Sequence, residues 1–336
     1  MPIKQLKDAW FKTLDKAALR LLIANAQKKW LQNPNYPNLM ICQELHDHYN
    51  ELDDSLFFKP PQKQEPTVLD DGTLKIESHY CPSLKRLVAP YAAYKENYTL
   101  RFRLLRPESP PRATLFCIHG WQGGDIDLDV KYFRASQFLK NGFSLCFIEL
   151  PFHGQRKTPN KPTPFPSTSL AWTNEAMAQS IHDLRVIRRW VETKSSAPTG
   201  LIGISLGGYI ASLWATLDSF EFVGALCPAV DLATLIWSHD RNSINQRKAR
   251  TNGVTEKEFK DVFAQHSPLA RALKVPSGAR AIVAGSADHI TPPEQAMTLA
   301  KHWDTPLTTI EGGHVSFVTN DKPWELILKN ARSWLC

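Results

Sequence analysis

The sequence predicts an α/β chain: a mostly parallel central sheet with helices on both faces, preceded by a helical extension over residues 1–66. Three observations carry that expectation. Apolar runs at 114–118, 143–150, 200–204, 223–226, 279–284 and 307–310 are continuous rather than alternating, as strands buried on both faces require. Helical segments at 132–140, 169–193 and 294–303 fall between them, the rhythm of a parallel sheet. Before residue 66 the periodicity is helical, with no strand pattern.

In chain order, residues 6–30 read as an amphipathic helix. Leu6, Trp10, Leu14, Ala17 and Leu21 share one stripe, with Phe11, Ala18 and Leu22 beside it. Lys7, Asp8, Lys12, Asp15 and Lys16 are assigned to the opposite, solvated face. The helix is expected to pack on the main domain and to contribute no catalytic group; a membrane-surface helix or a lid is the less favoured alternative. Residues 33–38 end it, a second helical stretch covers 40–52, and the Lys- and Pro-rich segment 59–66 reads as a linker. Residues 74–80 and 98–104 alternate with period two and predict antiparallel edge strands with one wet face. The main domain then runs over 67–336, with 231–270 as a small helical cap segment.

Composition narrows the class. The chain has 336 residues, 43% hydrophobic and 22% charged, an ordinary globular balance. No apolar run reaches membrane-spanning length, and the N-terminus shows no secretory signal pattern, so a cytoplasmic location is expected. Cys117, Cys146 and Cys227 sit in or at the end of strand-like runs and read as reduced core thiols. The net charge of +7 is modest. The basic cluster Arg247-Lys248-Ala249-Arg250 reads as a solvated cap face, and no nucleic-acid partner is expected. Asp125-Ile126-Asp127-Leu128-Asp129 lacks the Gly and Glu of a calcium loop. These aspartates are read as solvated, and no metal is assigned.

The chemistry centres on Gly203-Ile204-Ser205-Leu206-Gly207, between the run at 200–204 and a helix over 209–215. A serine on a sharp strand-to-helix turn is held in strained angles, with its hydroxyl clear of the sheet edge and the next N–H aimed at the same space. A serine nucleophile needs a base, a group to orient the base and donors for an oxyanion. His314, in Glu311-Gly312-Gly313-His314, follows the last apolar run and is the base candidate. His46, His48, His182, His239, His266 and His302 read as surface residues, and His79 and His289 as structural. Two acids are open: Asp288, preferred, and Asp231, which also fits as a helix cap. Thr291, Pro292 and Glu294 read as N-cap, first helical position and capping box, pinning the Asp288 loop. The run 115–118 ends in His119-Gly120-Trp121 and a glycine-rich loop, so the N–H groups of Trp121 and Leu206 are the expected oxyanion donors. His119 and Gly120, with Phe152 and His153 of Pro151-Phe152-His153-Gly154, are assigned to pocket or support. Trp121, Phe152, Trp172 and Trp237 are candidates for an apolar pocket or for core.

The order Ser205, Asp288, His314, with His119-Gly120 upstream, resembles the α/β-hydrolase superfamily over about residues 99–336. Pro151-Phe152-His153-Gly154 is similar to the Pro-Gly-His-Gly of many members, with Phe152 in place of glycine, and Asp183-Leu184-Arg185 resembles a motif of esterase-like members. The resemblance implies an α/β-hydrolase fold and a cofactor-free serine esterase or lipase acting on a small-molecule carboxylic ester. An acyltransferase or thioesterase on the same triad is the alternative, and a catalytically silent binding protein a further one. A membrane surface is not a favoured partner. The acyl group, the alcohol and the oligomeric state are left open.

Overall fold

The computed structural model describes residues 3–30, 38–60, 62–161, 163–167, 169–241 and 243–335. Its strands are β1 (Thr67–Val68), β2 (Leu74–Glu77), β3 (Thr99–Leu105), β4 (Ala113–Ile118), β5 (Phe143–Ile148), β6 (Thr199–Ile204), β7 (Phe222–Leu226), β8 (Arg280–Gly285) and β9 (Leu307–Ile310). They form one nine-stranded sheet in the order β1-β2-β3-β5-β4-β6-β7-β8-β9. β5 through β9 pair in parallel, and β1, β2 and β3 join antiparallel at one edge. The helices are α1 (Ile3–Trp30), α2 (Leu39–Asn50), α3 (Asp54–Phe57), α4 (Lys85–Ala92), α5 (Ile126–Tyr132), α6 (Ala135–Lys140), α7 (Leu170–Lys194), α8 (Leu206–Leu217), α9 (Leu232–His239), α10 (Ile244–Thr251), α11 (Glu256–Phe263), α12 (Pro293–Trp303) and α13 (Lys322–Trp334). This is the α/β-hydrolase fold, a mostly parallel sheet covered on both faces.

The apolar runs are continuous because the sheet has two cores. In β4, Phe116 and Ile118 face one core, while Ala113, Leu115 and Cys117 face the other. The first core takes side chains from α7, α8 and α12, and also Cys42, Leu45, Tyr49, Phe57 and Phe58 of α2, α3 and the residue after α3. The second is covered by α5, α6 and α13, with Phe133, Phe138 and Trp324 among its large side chains. Cys117, Cys146 and Cys227 are buried free thiols, and burial pushes all three pKa values up. Among the described residues no helix is long and apolar enough to cross a membrane.

Several local expectations are corrected. The helix expected over 132–140 begins only at Ala135, as α6, and a further helix, α5, precedes it: Asp125 caps α5 by accepting from Leu128 N–H at 3.1 Å, and Arg134 at φ 54° separates α5 from α6. Helices α4 and α13 were not anticipated. In α1 the buried stripe is rotated. Trp10 is 62% exposed, whereas Asp15, assigned to the solvated face, is 1% exposed. Phe11, Leu14 and Ala18 are the half-buried neighbours of Asp15, so the inward face runs 11, 14, 15, 18. The side chains of Leu6, Leu21 and Leu22, and residues 31–37 of the expected helix end, lie outside the described residues.

Candidate active site

Ser205 sits between β6 and α8 at φ 57° and ψ −118°, a conformation that costs on the order of 1–3 kcal/mol and persists only where its surroundings enforce it. Here three backbone bonds enforce it. Ser205 N–H donates to Leu226 O at 2.9 Å, and its carbonyl accepts from Ala229 N–H and Tyr209 N–H at 3.1 Å each. The flanking glycines are required by contact. A Cβ at Gly203 would lie 2.1 Å from Gly207 O, and one at Gly207 would lie 2.0 Å from Ile118 O. Among the described residues Ser205 Oγ makes no hydrogen bond, which leaves the hydroxyl available.

His314 follows β9 through Gly312 and Gly313. Its Nδ1 lies 2.7 Å from Asp288 Oδ2 and 3.0 Å from Thr291 Oγ1. Asp288 is 2% exposed, and its Oδ1 accepts from Ile290 N–H at 2.9 Å and Thr291 N–H at 2.8 Å. The Thr291 hydroxyl donates to Cys227 O at 2.8 Å, so its oxygen is left to accept. With a carboxylate and a hydroxyl oxygen against Nδ1, the proton belongs there, and Nε2 is the bare, basic nitrogen. Burial pulls the His314 pKa down, but the carboxylates of Asp288 and Asp15 outweigh it and hold it above 6.5. Burial likewise pushes Asp288 up, and His314 with the Thr291 and Ile290 N–H groups reverses the sign, to below 3.8. Cys227 Sγ, an Asp288 carboxylate oxygen and a His314 nitrogen lie within 4.8 Å of one another. The backbone of the same Cys227 segment holds Ser205, through Leu226 O and Ala229 N–H. Ser205, Asp288 and His314 therefore share one edge of the sheet.

One sequence expectation changes at this point, and one open alternative falls on its helix-cap side. Thr291 is not the N-cap of α12, which opens at Pro293 after Pro292 without a side-chain cap. Its hydroxyl is taken by Cys227 O, Asp288 and His314 instead, so the residue read as a cap ties Asp288 to His314. Asp231, the second candidate acid, caps α9 through Thr234 N–H at 2.9 Å and pairs with Lys260 at 3.3 Å.

The glycine-rich loop after β4 lies over Ser205: a Cβ at Gly120 would be 3.2 Å from Ser205 Cβ. Among the described residues neither Trp121 N–H nor Leu206 N–H has a hydrogen-bond acceptor, and Leu206 opens α8, where N–H groups lack intrahelical partners. His119 fixes the loop. Its Nδ1–H donates to Gly120 O at 2.7 Å, and Nε2 accepts from Leu150 N–H at 3.1 Å. Burial holds it neutral, with a pKa lowered to about 4. His153 is buried beside it, with Nδ1–H to Pro151 O at 2.8 Å, and burial lowers its pKa well below 6.5. Phe152 adopts φ 60°, the region where glycine is at ease; its ring is core, packed on Tyr91, Tyr94 and Trp172. Trp172 belongs to the same aromatic cluster, Trp237 packs on Phe259 of α11, and Trp121 is half-buried. Asp129 is not solvated as expected. It is 6% exposed, accepts from Gly124 N–H at 3.1 Å, and burial raises its pKa to about 7.

The sequence reading missed a second group of buried polar residues. His182 and His266, read as surface, are 6% and 0% exposed and bond to Asp183 and Tyr209. Along α7, Glu175, Gln179 and Asp183 point inward at helical spacing. Glu175 accepts from the Tyr49, Tyr80 and Ser83 hydroxyls, Gln179 from Tyr91 and Asn97, and Asp183 from Ser78 and the fully buried Arg156 at 2.6 Å. Arg185 of the same motif makes a two-pronged contact with Asp218 at 2.8 Å. Asp15 was missed as well. Its carboxylate accepts from His289 N–H at 3.0 Å, His314 N–H at 2.9 Å and Val315 N–H at 3.0 Å. The available signal was its spacing, four after Phe11 and three before Ala18, which places it inside the apolar stripe.

Comparison with known proteins agrees with this architecture. The model of the family described as alpha/beta hydrolase domain containing 18 matches residues 66–240. An uncharacterized Mycobacterium tuberculosis protein, Rv2627c, is 33% identical over 237 residues, covering 68% of this chain and 54% of its own length. A second strain's uncharacterized protein, MT2702, matches to the same extent. The chain thus spans about half the length of the curated relatives it matches. Among solved structures, TT1662 of Thermus thermophilus has a TM-score of 0.52 at 21% identity, covering 70% of this chain and 93% of that one. Pyrococcus horikoshii acylaminoacyl peptidase has a TM-score of 0.51 at 15% identity, covering 82% of this chain and 42% of that one. At these identities the structures speak for the fold.

Proposed function

The chain belongs to the alpha/beta hydrolase domain containing 18 family, and from that premise we propose that it is a serine hydrolase that cleaves a carboxylic ester through an acyl-enzyme. Ser205 Oγ attacks the ester carbonyl while His314 Nε2 takes its proton. Asp288 holds the Nδ1–H tautomer and stabilises the imidazolium that forms. The N–H groups of Trp121 and Leu206 receive the negative charge on the tetrahedral oxygen. The imidazolium returns its proton to the leaving alkoxide, and the alcohol departs. A water, deprotonated by His314, then attacks the acyl carbonyl and frees the acid and Ser205. Every proton is carried by these side chains, so the reaction as written needs no cofactor.

One observation carries the reading: the 2.7 Å Asp288–His314 pair, at the sheet edge that also presents the strained Ser205, whose Oγ makes no hydrogen bond among the described residues. The test is a panel of p-nitrophenyl esters of rising chain length, with a fluorophosphonate probe. Labelling at Ser205 and turnover lost by about three decades in Ser205→Ala support the reading. An unlabelled Ser205 and no turnover of any ester would favour a silent binding protein.

A further inference from the structure

We propose that Asp15 is a positioning residue of this site: from α1 its carboxylate clamps together the two loops that carry the acid and the base. The proposal rests on the hydrolase reading above and deepens it. Oδ2 accepts from His289 N–H and His314 N–H, and Oδ1 from Val315 N–H. The residue after the acid and the base itself therefore hang on one oxygen atom. Asp15 is 1% exposed, on a helix whose Trp10, Lys12 and Lys16 are all exposed. A buried carboxylate without a paired cation is tolerated where N–H donors satisfy it. The loop is shaped to receive it. A Cβ at Gly313 would lie 2.8 Å from Asp15 Oδ2 and 3.1 Å from Oδ1, so the carboxylate approaches through the space a side chain would fill. Lys7 adds a 3.1 Å ion pair to Glu311 on the same loop.

A carboxylate that only anchored α1 would find partners along the surface of the domain. These three partners are instead the backbone that sets where the imidazole stands. The titratable groups facing His314 are Asp288 after β8, Cys227 after β7, His239 on α9 and Asp15 on α1. Asp15 is the one of these that comes from outside the main domain.

The experiment compares Asp15→Asn, Asp15→Glu and Trp10→Ala in the full chain. The readouts are p-nitrophenyl ester kinetics across pH and an NMR titration of the His314 imidazole. In Asp15→Asn, kcat should fall by up to about 10²-fold, the loss expected for a misplaced catalytic group, with KM for a small ester nearly unchanged. The His314 titration and the acid limb of kcat/KM should both move to lower pH, because a facing negative charge is gone. Asp15→Glu keeps the charge but has no room beside Gly313, so kcat should fall while the titration stays near that of the wild type. Trp10→Ala should change none of these. An active wild type whose folded Asp15→Asn variant keeps both kcat and the His314 titration overturns the proposal. A wild type inactive on every ester, with the His314 titration still moved by Asp15→Asn, would instead mean that the reaction was misassigned and the clamp stands.

Discussion

Replacing Asp288 by Asn should nearly silence the enzyme while leaving the fold intact, and the geometry dictates how. Asp288 Oδ1 accepts two backbone N–H groups, at 2.9 and 2.8 Å. In the variant the amide oxygen must keep that position, because the NH2 group there would oppose two donors and leave buried groups unpaired. The NH2 is then forced towards His314 Nδ1, across the 2.7 Å contact now held by Oδ2. Nδ1 must become an acceptor, so the proton moves to Nε2, the nitrogen that should receive the proton of Ser205. A wrong tautomer of this kind costs about four decades in kcat, or roughly 5.5 kcal/mol in the barrier. The assay is kcat/KM on a p-nitrophenyl ester per folded molecule, beside thermal unfolding of the same samples. Asp231→Asn is the control: Asn caps a helix about as well as Asp, so α9 keeps its cap and turnover should stay near wild type. An Asp288→Asn protein of normal stability within tenfold of wild-type activity would refute the argument, and so would an Asp231→Asn variant that proved the inactive one.

Further expectations concern protons and buried charge. The folded pKa of His314 is raised above 6.5, and the neutral form is the active one, so kcat/KM should rise with pH through a midpoint above 6.5; a midpoint below it contradicts the assigned electrostatics. By the same sign, the stability that the His314–Asp288 pair draws from the imidazolium is full below pH 6.5 and is lost as pH rises through the folded pKa. Asp129 runs in the same direction over a lower window: its folded pKa of about 7 lies above 3.8, so ionising it inside the fold destabilises the protein increasingly between pH 4 and 7. Asp129→Asn should therefore gain on the wild type across that window, by up to a few kcal/mol, and a stability difference flat with pH in urea titrations would count against this. Arg156→Met strands the Asp183 carboxylate, now 2.6 Å from the guanidinium and fully enclosed, and should cost about 3–5 kcal/mol in chemical denaturation; a loss under 1 kcal/mol would show that Ser78 and His182 satisfy Asp183 unaided.

What could be read from the sequence was what is encoded locally. The strands announced themselves because β4, β5 and β7 are buried at every position, which leaves only Thr114 and Ser144 as small polar residues in otherwise apolar runs. Ser205 and His314 were marked by the glycines that steric contact imposes beside them. Asp288 was legible as the preferred acid because a loop between a strand end and a helix start holds a carboxylate in one place. The misreadings share one physical cause: a polar side chain whose partners are distant in sequence looks solvated. Asp15, Asp129, His266 and the Glu175–Gln179–Asp183 row of α7 were all assigned to water, or passed over, for that reason. Thr291 failed differently. Its neighbours match a capping box, but the helix opens after Pro292 without a side-chain cap, and the hydroxyl is held instead by Cys227 O, Asp288 and His314.

The contact between Asp15 and His314 spans 299 positions of the chain, and that between Tyr49 and Glu175 spans 126. A ribosome adds residues from the N-terminus at about 5–20 per second. The segment bearing Asp15 is therefore made roughly 15 to 60 s before the loop it grips. The α7 carboxamide and carboxylate row is answered sooner, because its tyrosines have already emerged when Glu175 appears. Synthesis thus delivers the sheet edge at Ser205 before the imidazole loop that follows β9. A nascent chain therefore carries Ser205 before His314 has been made, and the proposed proton acceptor joins the proposed nucleophile only after synthesis has passed β9.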